Sequence, residues 1–239
     1  MAMHRRTVMS LAGGVIVVGG AGYLGWRSLS PPPATPTSTP TPSAAATSSP
    51  SGGTGSLKLT RDQASEMQHQ ATRSLGDASA KTTITEYFSL TCTHCAAFAK
   101  ETMPKIEKDL IQPGKVRFVF HDFPLDQVAL TAAMVARYLP PNQYYPFCSA
   151  LFATQDRWAF ARGANTTEEI WKLAALAGMS RDTFNDALAD EELRNWILHQ
   201  QEVDQTTFKI DSTPSFVIDG KKYAGEMSYD AFRKLLPDA

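Results

Sequence analysis

Residues 88–98 read FSLTCTHCAAF and set Cys92 and Cys95 three apart, directly after an apolar run. The chain has three cysteines in 239 residues, so two of them at this spacing need a chemical reason. Paired thiols can hold a metal ion, form a small structural bridge, or pass between dithiol and disulfide. A closed structural zinc site takes four ligands, and Cys92, His94 and Cys95 supply at most three within four residues. A bridge across two residues closes too short a loop to restrict the unfolded chain by much. In an exported domain, with the pair at a strand–helix junction, redox exchange is the favoured reading. The alternative from a different class is an exported soft-metal module, a copper chaperone holding Cu(I) on Cys92, His94 and Cys95.

The flanking residues say what the thiols would feel. Cys92 follows the strand-like TTITEYFS (82–89), and Cys95 begins the helix-favouring run that continues AAFAKETM. Cys92 is therefore expected at a helix N-terminus, where free N–H groups and the macrodipole favour an anion. Cysteine pKa values in such places fall to about 3.5–7.5. His94, as an imidazolium, would favour the same thiolate, while Cys95 should lie deeper in the first turn. Pro104 interrupts the helix and should kink it. Strand alternation puts Glu86 on the face of Ile84 and Phe88. A carboxyl in such surroundings has a raised pKa and suits proton exchange with Cys95; the plain alternative is an exposed strand-end glutamate.

A second stretch, DSTPSFVIDG (211–220), sets Thr213 and Pro214 just before another strand. An X-Pro bond there can be cis, with the Thr213 backbone open to an extended peptide; an ordinary trans turn is the commoner case. Cys148, in YYPFCSALF, reads as a core thiol on an apolar helical face. Trp158, Trp171 and Trp196 read as core.

The elements that must position these residues follow from pattern. Strands are expected at 82–89 and 115–120, and a hairpin at 215–225 around Asp219-Gly220. Between them lie roughly 90 residues of helical period. They include Val128 to Leu139, ended by Pro140-Pro141, a helix opened by a Thr166–Glu169 capping box, and helices at 180–189 and 191–208. A last helix is expected from Tyr229 to Leu236. Strands, a helical block and a closing hairpin make an α/β sheet with a helical insertion at about 126–208.

Before this domain (57–239) the chain changes character. A basic start (1–7) precedes an uncharged span, 8–26, close to the length that crosses a bilayer. It reads as a signal-anchor, or as a signal removed on export; either way the domain is placed outside the cytoplasm, in the periplasm. Residues 27–56, rich in Pro, Ser and Thr, read as a disordered linker. Without Arg5, Arg6 and Arg27 the domain holds 20 basic and 24 acidic residues, a net charge of −4 that argues against a nucleic-acid partner.

Taken together, CTHC after the first strand, HDFPLD after the second, the helical block and STPSFVIDGKKYAG resemble the DsbA-like branch of the thioredoxin superfamily, from about residue 75 to the end. The resemblance implies a thioredoxin fold with an inserted helical domain and a thiol–disulfide oxidoreductase. Such a protein acts on reduced or misoxidised exported proteins, is reoxidised by a quinone-linked membrane partner, and works as a monomer with no cofactor and no metal. By position it makes Cys92 the exposed nucleophile, Cys95 its buried partner, Thr93 and His94 the tuning dipeptide, and Thr213-Pro214 the cis-proline pair. Glu86 becomes the buried acid six residues before the nucleophile. Thr-His stands where the best-known DsbA enzymes carry Pro-His, and Thr213 where they carry Val; the latter choice is commoner in isomerase and reductase relatives. The direction of electron flow is left open.

Overall fold

The computed structural model describes residues 68–236. The segments read above as anchor and linker, and the boundary at 57, lie outside the described residues.

The β-branched and aromatic run TTITEYF forms β2 (Thr82–Phe88), the centre of the sheet. Its neighbour β3 (Val116–Asp122) runs parallel to it, with Thr82 opposite Val116 and Phe88 opposite Asp122. On its other side β4 (Ser215–Ile218) is antiparallel, with Glu86 opposite Phe216. The hairpin partner β5 (Lys221–Ala224) follows a two-residue turn in which Asp219 and Gly220 both have positive φ, 49° and 77°. That is the conformation a tight hairpin asks of an Asp-Gly pair. Sequence pattern missed one strand, β1 (Arg73–Leu75), antiparallel to β3 at the far edge. Three residues are too few for an alternation signal, and Arg73, 1% exposed, looks like a surface residue by type. Among the described residues the five strands form one sheet, ordered β1-β3-β2-β4-β5.

The crossover from β2 to β3 carries α1 (Thr93–Glu101) and α2 (Met103–Ile106), followed by a wide turn at Glu107–Ile111. Thr102 ends α1 by donating its N–H to Phe98 O, and Pro104 sits in the first turn of α2. Proline has no N–H to continue the ladder, so the chain restarts there. The aromatic ring of Phe98 locks α1 to the sheet, 4.7 Å from Phe216 and 5.9 Å from Phe232.

Between β3 and β4 the chain builds α3 (Gln127–Tyr138), α4 (Pro141–Ala153), α5 (Gln155–Trp158), α6 (Thr166–Leu176), α7 (Arg181–Ala189) and α8 (Glu191–Thr207). The proline pair does double duty: α3 stops before it, and Pro141 opens α4, where a missing N–H costs nothing. The capping box expected at Thr166 is replaced by Asn165, whose side chain accepts the Glu168 N–H. A short polar side chain in extended backbone caps better than a threonine already inside the helix. The last helix, α9 (Tyr229–Arg233), ends three residues earlier than expected. Cys148 and Trp158 are core residues, while Trp171 and Trp196 are partly buried against that core.

A buried ion pair anchors the insertion to the sheet. Arg137 of α3 donates from Nε to Asp122 Oδ2 at 2.5 Å, and Tyr144 OH donates to Asp122 Oδ1 at 2.8 Å. Arg73 donates to Arg137 O at 2.9 Å, so β1, β3 and the start of the insertion share one network.

Candidate functional site: a dithiol at a helix N-terminus

Strand β2 ends at Phe88, and residues 89–92 turn the chain into α1. Cys92 is the residue that caps α1, in extended backbone (φ −78°, ψ 120°), and its Sγ accepts the Cys95 N–H at 3.3 Å. The three-residue spacing makes this contact: an N-cap side chain reaches the amide three positions on. Cys95 is fully buried, and Cys92 retains 8% of its surface. The order expected from sequence holds, although Cys92 is far less open than an N-terminal position suggests. Part of that cover comes from the turn before β4. The Thr213–Pro214 bond is cis, and the Cys92 thiol donates to Thr213 O at 3.3 Å.

Both thiols are free, so this is the dithiol form, and their acidities are driven apart. Hydrogen bonding from Cys95 outweighs burial and, with further bonds from Thr213 and the Cys95 and His94 amides, lowers the Cys92 pKa to about 5. Thr213 Oγ1 is buried with no hydrogen-bond partner in the thiol form, and the Thr213 side chain is among the groups that lower the Cys92 pKa. It is the donor the sulfur gains on becoming a thiolate. Cys95 moves the other way, held well above the usual thiol range by burial, by its hydrogen bond to Cys92 and by Glu86. Glu86 is 4% exposed, on the β2 face that carries Ile84 and Phe88. Burial first, and the Cys92 charge second, raise its pKa to about 8. The exposed strand-end alternative is excluded.

Two members of the expected set stand apart. The Thr93 and His94 side chains are exposed. His94 Nδ1 lies 3.1 Å from Glu226 Oε2 in the loop after β5. The ring is therefore engaged by a carboxylate, and the His94 backbone N–H is one of the groups that lower the Cys92 pKa. Among the described residues no group of three or more His, Cys, Asp or Glu side chains is placed to hold a metal ion.

Three further residues shape the site and were not anticipated. Gln155, buried at the start of α5, donates from Nε2 to Leu90 O at 2.7 Å and Cys92 O at 3.1 Å. Asp126, the N-cap of α3, accepts from Thr91 Oγ1 at 2.6 Å and from the Ala129 N–H at 2.8 Å. Glu226 is the third. The cap at Asp126 is legible in DQVA; nothing local marks Gln155 or Glu226.

A dithiol capping a helix at the end of the central strand of a mixed sheet, faced by a cis-proline turn, defines a thioredoxin-fold thiol site. A family model described as Thioredoxin matches residues 68–238. The crystal structure of alpha-DsbA1 from Wolbachia pipientis is similar at 30% identity and a TM-score of 0.65, covering 70% of this chain and 89% of that one. BdbD from Bacillus subtilis, at 22% identity and a TM-score of 0.62, shares the fold over 72% of this chain and 92% of that one. A Rickettsia typhi protein provisionally named a protein-disulfide oxidoreductase is 26% identical over 147 residues, 61% of this chain. The chain spans only 54% of that relative's length. This chain belongs to the thioredoxin family, in its DsbA-like branch, a thioredoxin fold with an inserted helical domain.

Proposed function

We propose that this protein is an extracytoplasmic thiol–disulfide oxidoreductase that introduces disulfide bonds into exported proteins. The observation that carries the reading is the asymmetry of the pair: a Cys92 sulfur capping α1 with a pKa near 5, beside a buried Cys95 held well above the usual thiol range. Stabilising the Cys92 thiolate stabilises the dithiol, which makes the disulfide more oxidising.

The reaction starts from the Cys92–Cys95 disulfide. A substrate thiolate attacks Cys92 Sγ, forming a mixed disulfide while the Cys92–Cys95 bond breaks and Cys95 leaves as a thiolate. Cys95 is too buried to stay charged, and Glu86, protonated below about pH 8, is the proton donor at hand. A second substrate thiolate then attacks the substrate sulfur of the mixed disulfide and expels Cys92, a good leaving group because its thiolate is stable. The substrate gains a disulfide and the pair gains two electrons. The Thr213 carbonyl lines the approach to Cys92 and offers its edge to an extended substrate chain. A quinone-linked membrane protein accepting the two electrons would complete the cycle, with this protein working as a monomer held outside the cytoplasm by residues 8–26 or released after their removal.

The test uses the full chain in its native membrane. Cys95→Ser should accumulate mixed disulfides at Cys92, and Cys92→Ser should form almost none. The wild type should oxidise a reduced, unfolded protein. Absence of both adducts and turnover from folded protein would overturn the reading.

A further inference from the structure

We propose that Glu226 is a positioning residue for the dithiol: it holds the His94 imidazole by Nδ1, neutralises its charge, and so moderates the oxidising power of the Cys92–Cys95 pair. This rests on the redox reading above and assigns a role to a residue outside the cysteine motif and the cis-proline turn.

The geometry suggests a rigid mount. Glu226 follows β5, and the residues on either side of it are pinned. The Gly225 N–H donates to Pro214 O at 2.8 Å, and Thr102 Oγ1 donates to Met227 O at 2.9 Å. One pin is the cis-proline itself and the other is the residue that ends α1. The carboxylate is thus carried on a loop fixed to both walls of the site, and it reaches His94 Nδ1 at 3.1 Å. His94 sits in the first turn of α1, two residues after Cys92. Its side chain is 72% exposed, against 33% for Glu226, and the contact that the fold gives the ring is the Glu226 carboxylate.

Electrostatics gives the sign. An imidazolium beside a thiolate favours the thiolate; an imidazolium already paired with a carboxylate presents little net charge to it. Removing the carboxylate takes a negative charge away from the ring that α1 carries two residues after Cys92. That loss favours the thiolate, and through it the dithiol. Exposure keeps the effect modest.

The experiment is thiolate absorbance against pH in the reduced full-length protein, for wild type, Glu226→Gln, His94→Ala and the double variant. Cys95 and Cys148 both lie well above the usual thiol range and stay silent there. Glu226→Gln is expected to lower the Cys92 pKa by about half a unit, about a threefold change in its dissociation constant. The equilibrium with glutathione at pH 7 should shift about threefold toward the dithiol. In the His94→Ala background the same substitution should have a clearly smaller effect. Glu226→Ala should reproduce Glu226→Gln, with an unchanged melting temperature in both. No shift, a shift upward, or an equal shift without His94 would each overturn the proposal. The titration needs no substrate, so its failure is separate from a failure of turnover.

Discussion

If the Cys92 thiolate sets the oxidising power of the pair, the reduction potential must bend with pH where that thiol titrates. An ordinary cysteine near 9 is almost wholly protonated at pH 7, whereas Cys92 near 5 is almost wholly ionised. The difference that counts at pH 7 is two units, about 2.7 kcal/mol, or about 2 kcal/mol once water on the open side of the sulfur screens part of it. For a two-electron couple that is about 40–60 mV toward a stronger oxidant. Because the folded pKa lies below the unfolded one, this stabilisation of the dithiol is complete above about 9, shrinks as pH falls, and is gone below about 5. Below pH 5 two protons accompany two electrons, and the potential should fall by about 59 mV per unit; between 5 and 7 only one proton does, and the slope should halve to about 30 mV. Thr213→Val removes the hydroxyl that the thiolate recruits and leaves the carbonyl in place. It should move the break upward by about one unit and lower the pH 7 potential by about 30 mV. Glutathione equilibria between pH 4 and 7, quenched and resolved by thiol alkylation, supply the data. A single slope of about 59 mV across that range, or a break unmoved by Thr213→Val, would refute the reasoning.

Glu86→Gln should slow formation of mixed disulfides by about 10²-fold in rapid-quench kinetics, because the proposed proton donor to the departing Cys95 is lost. The same variant should resist alkaline unfolding better than wild type. The raised Glu86 pKa stabilises the fold fully below about 4.5, and that contribution is lost as pH rises through about 8, a difference of the order of 5 kcal/mol that glutamine does not show. Asp122→Asn leaves the buried Arg137 guanidinium without its counter-charge and should cost about 3–5 kcal/mol in urea denaturation, with the Cys92 titration unmoved.

Much of the geometry of the candidate site is local, and local geometry is legible. Cysteines three apart after a β-branched run put one sulfur over the other's amide, because N-cap contacts span three residues. Alternation along TTITEYF buried Glu86 beside Ile84 and Phe88 for an equally local reason. Asp219-Gly220 turned as its composition demands. What pattern could not show lay where partners are distant. His94 was read against its nearest charge in sequence, Cys92, whereas its ring meets Glu226, 132 positions away. Arg73 hid a short edge strand, since its buried guanidinium depends on the distant Arg137 carbonyl of α3 as well as on those of Gln68 and Ala71.

The sequence by itself determined that two thiols would share a helix N-terminus behind a buried carboxyl, with a proline turn opening a later strand. Each of those is a matter of spacing, backbone preference and the period of a strand. Only the tertiary structure decided which groups close on the sulfur. Parallel pairing of β2 with β3, and antiparallel pairing with β4, carry the Thr213 carbonyl to within 3.3 Å of Cys92 across 121 residues. The helical insertion brings Gln155 to the carbonyl of the same cysteine. A hydrogen bond is set by position in space to within a fraction of an ångström, and no pattern along the chain encodes that distance until the sheet order is settled.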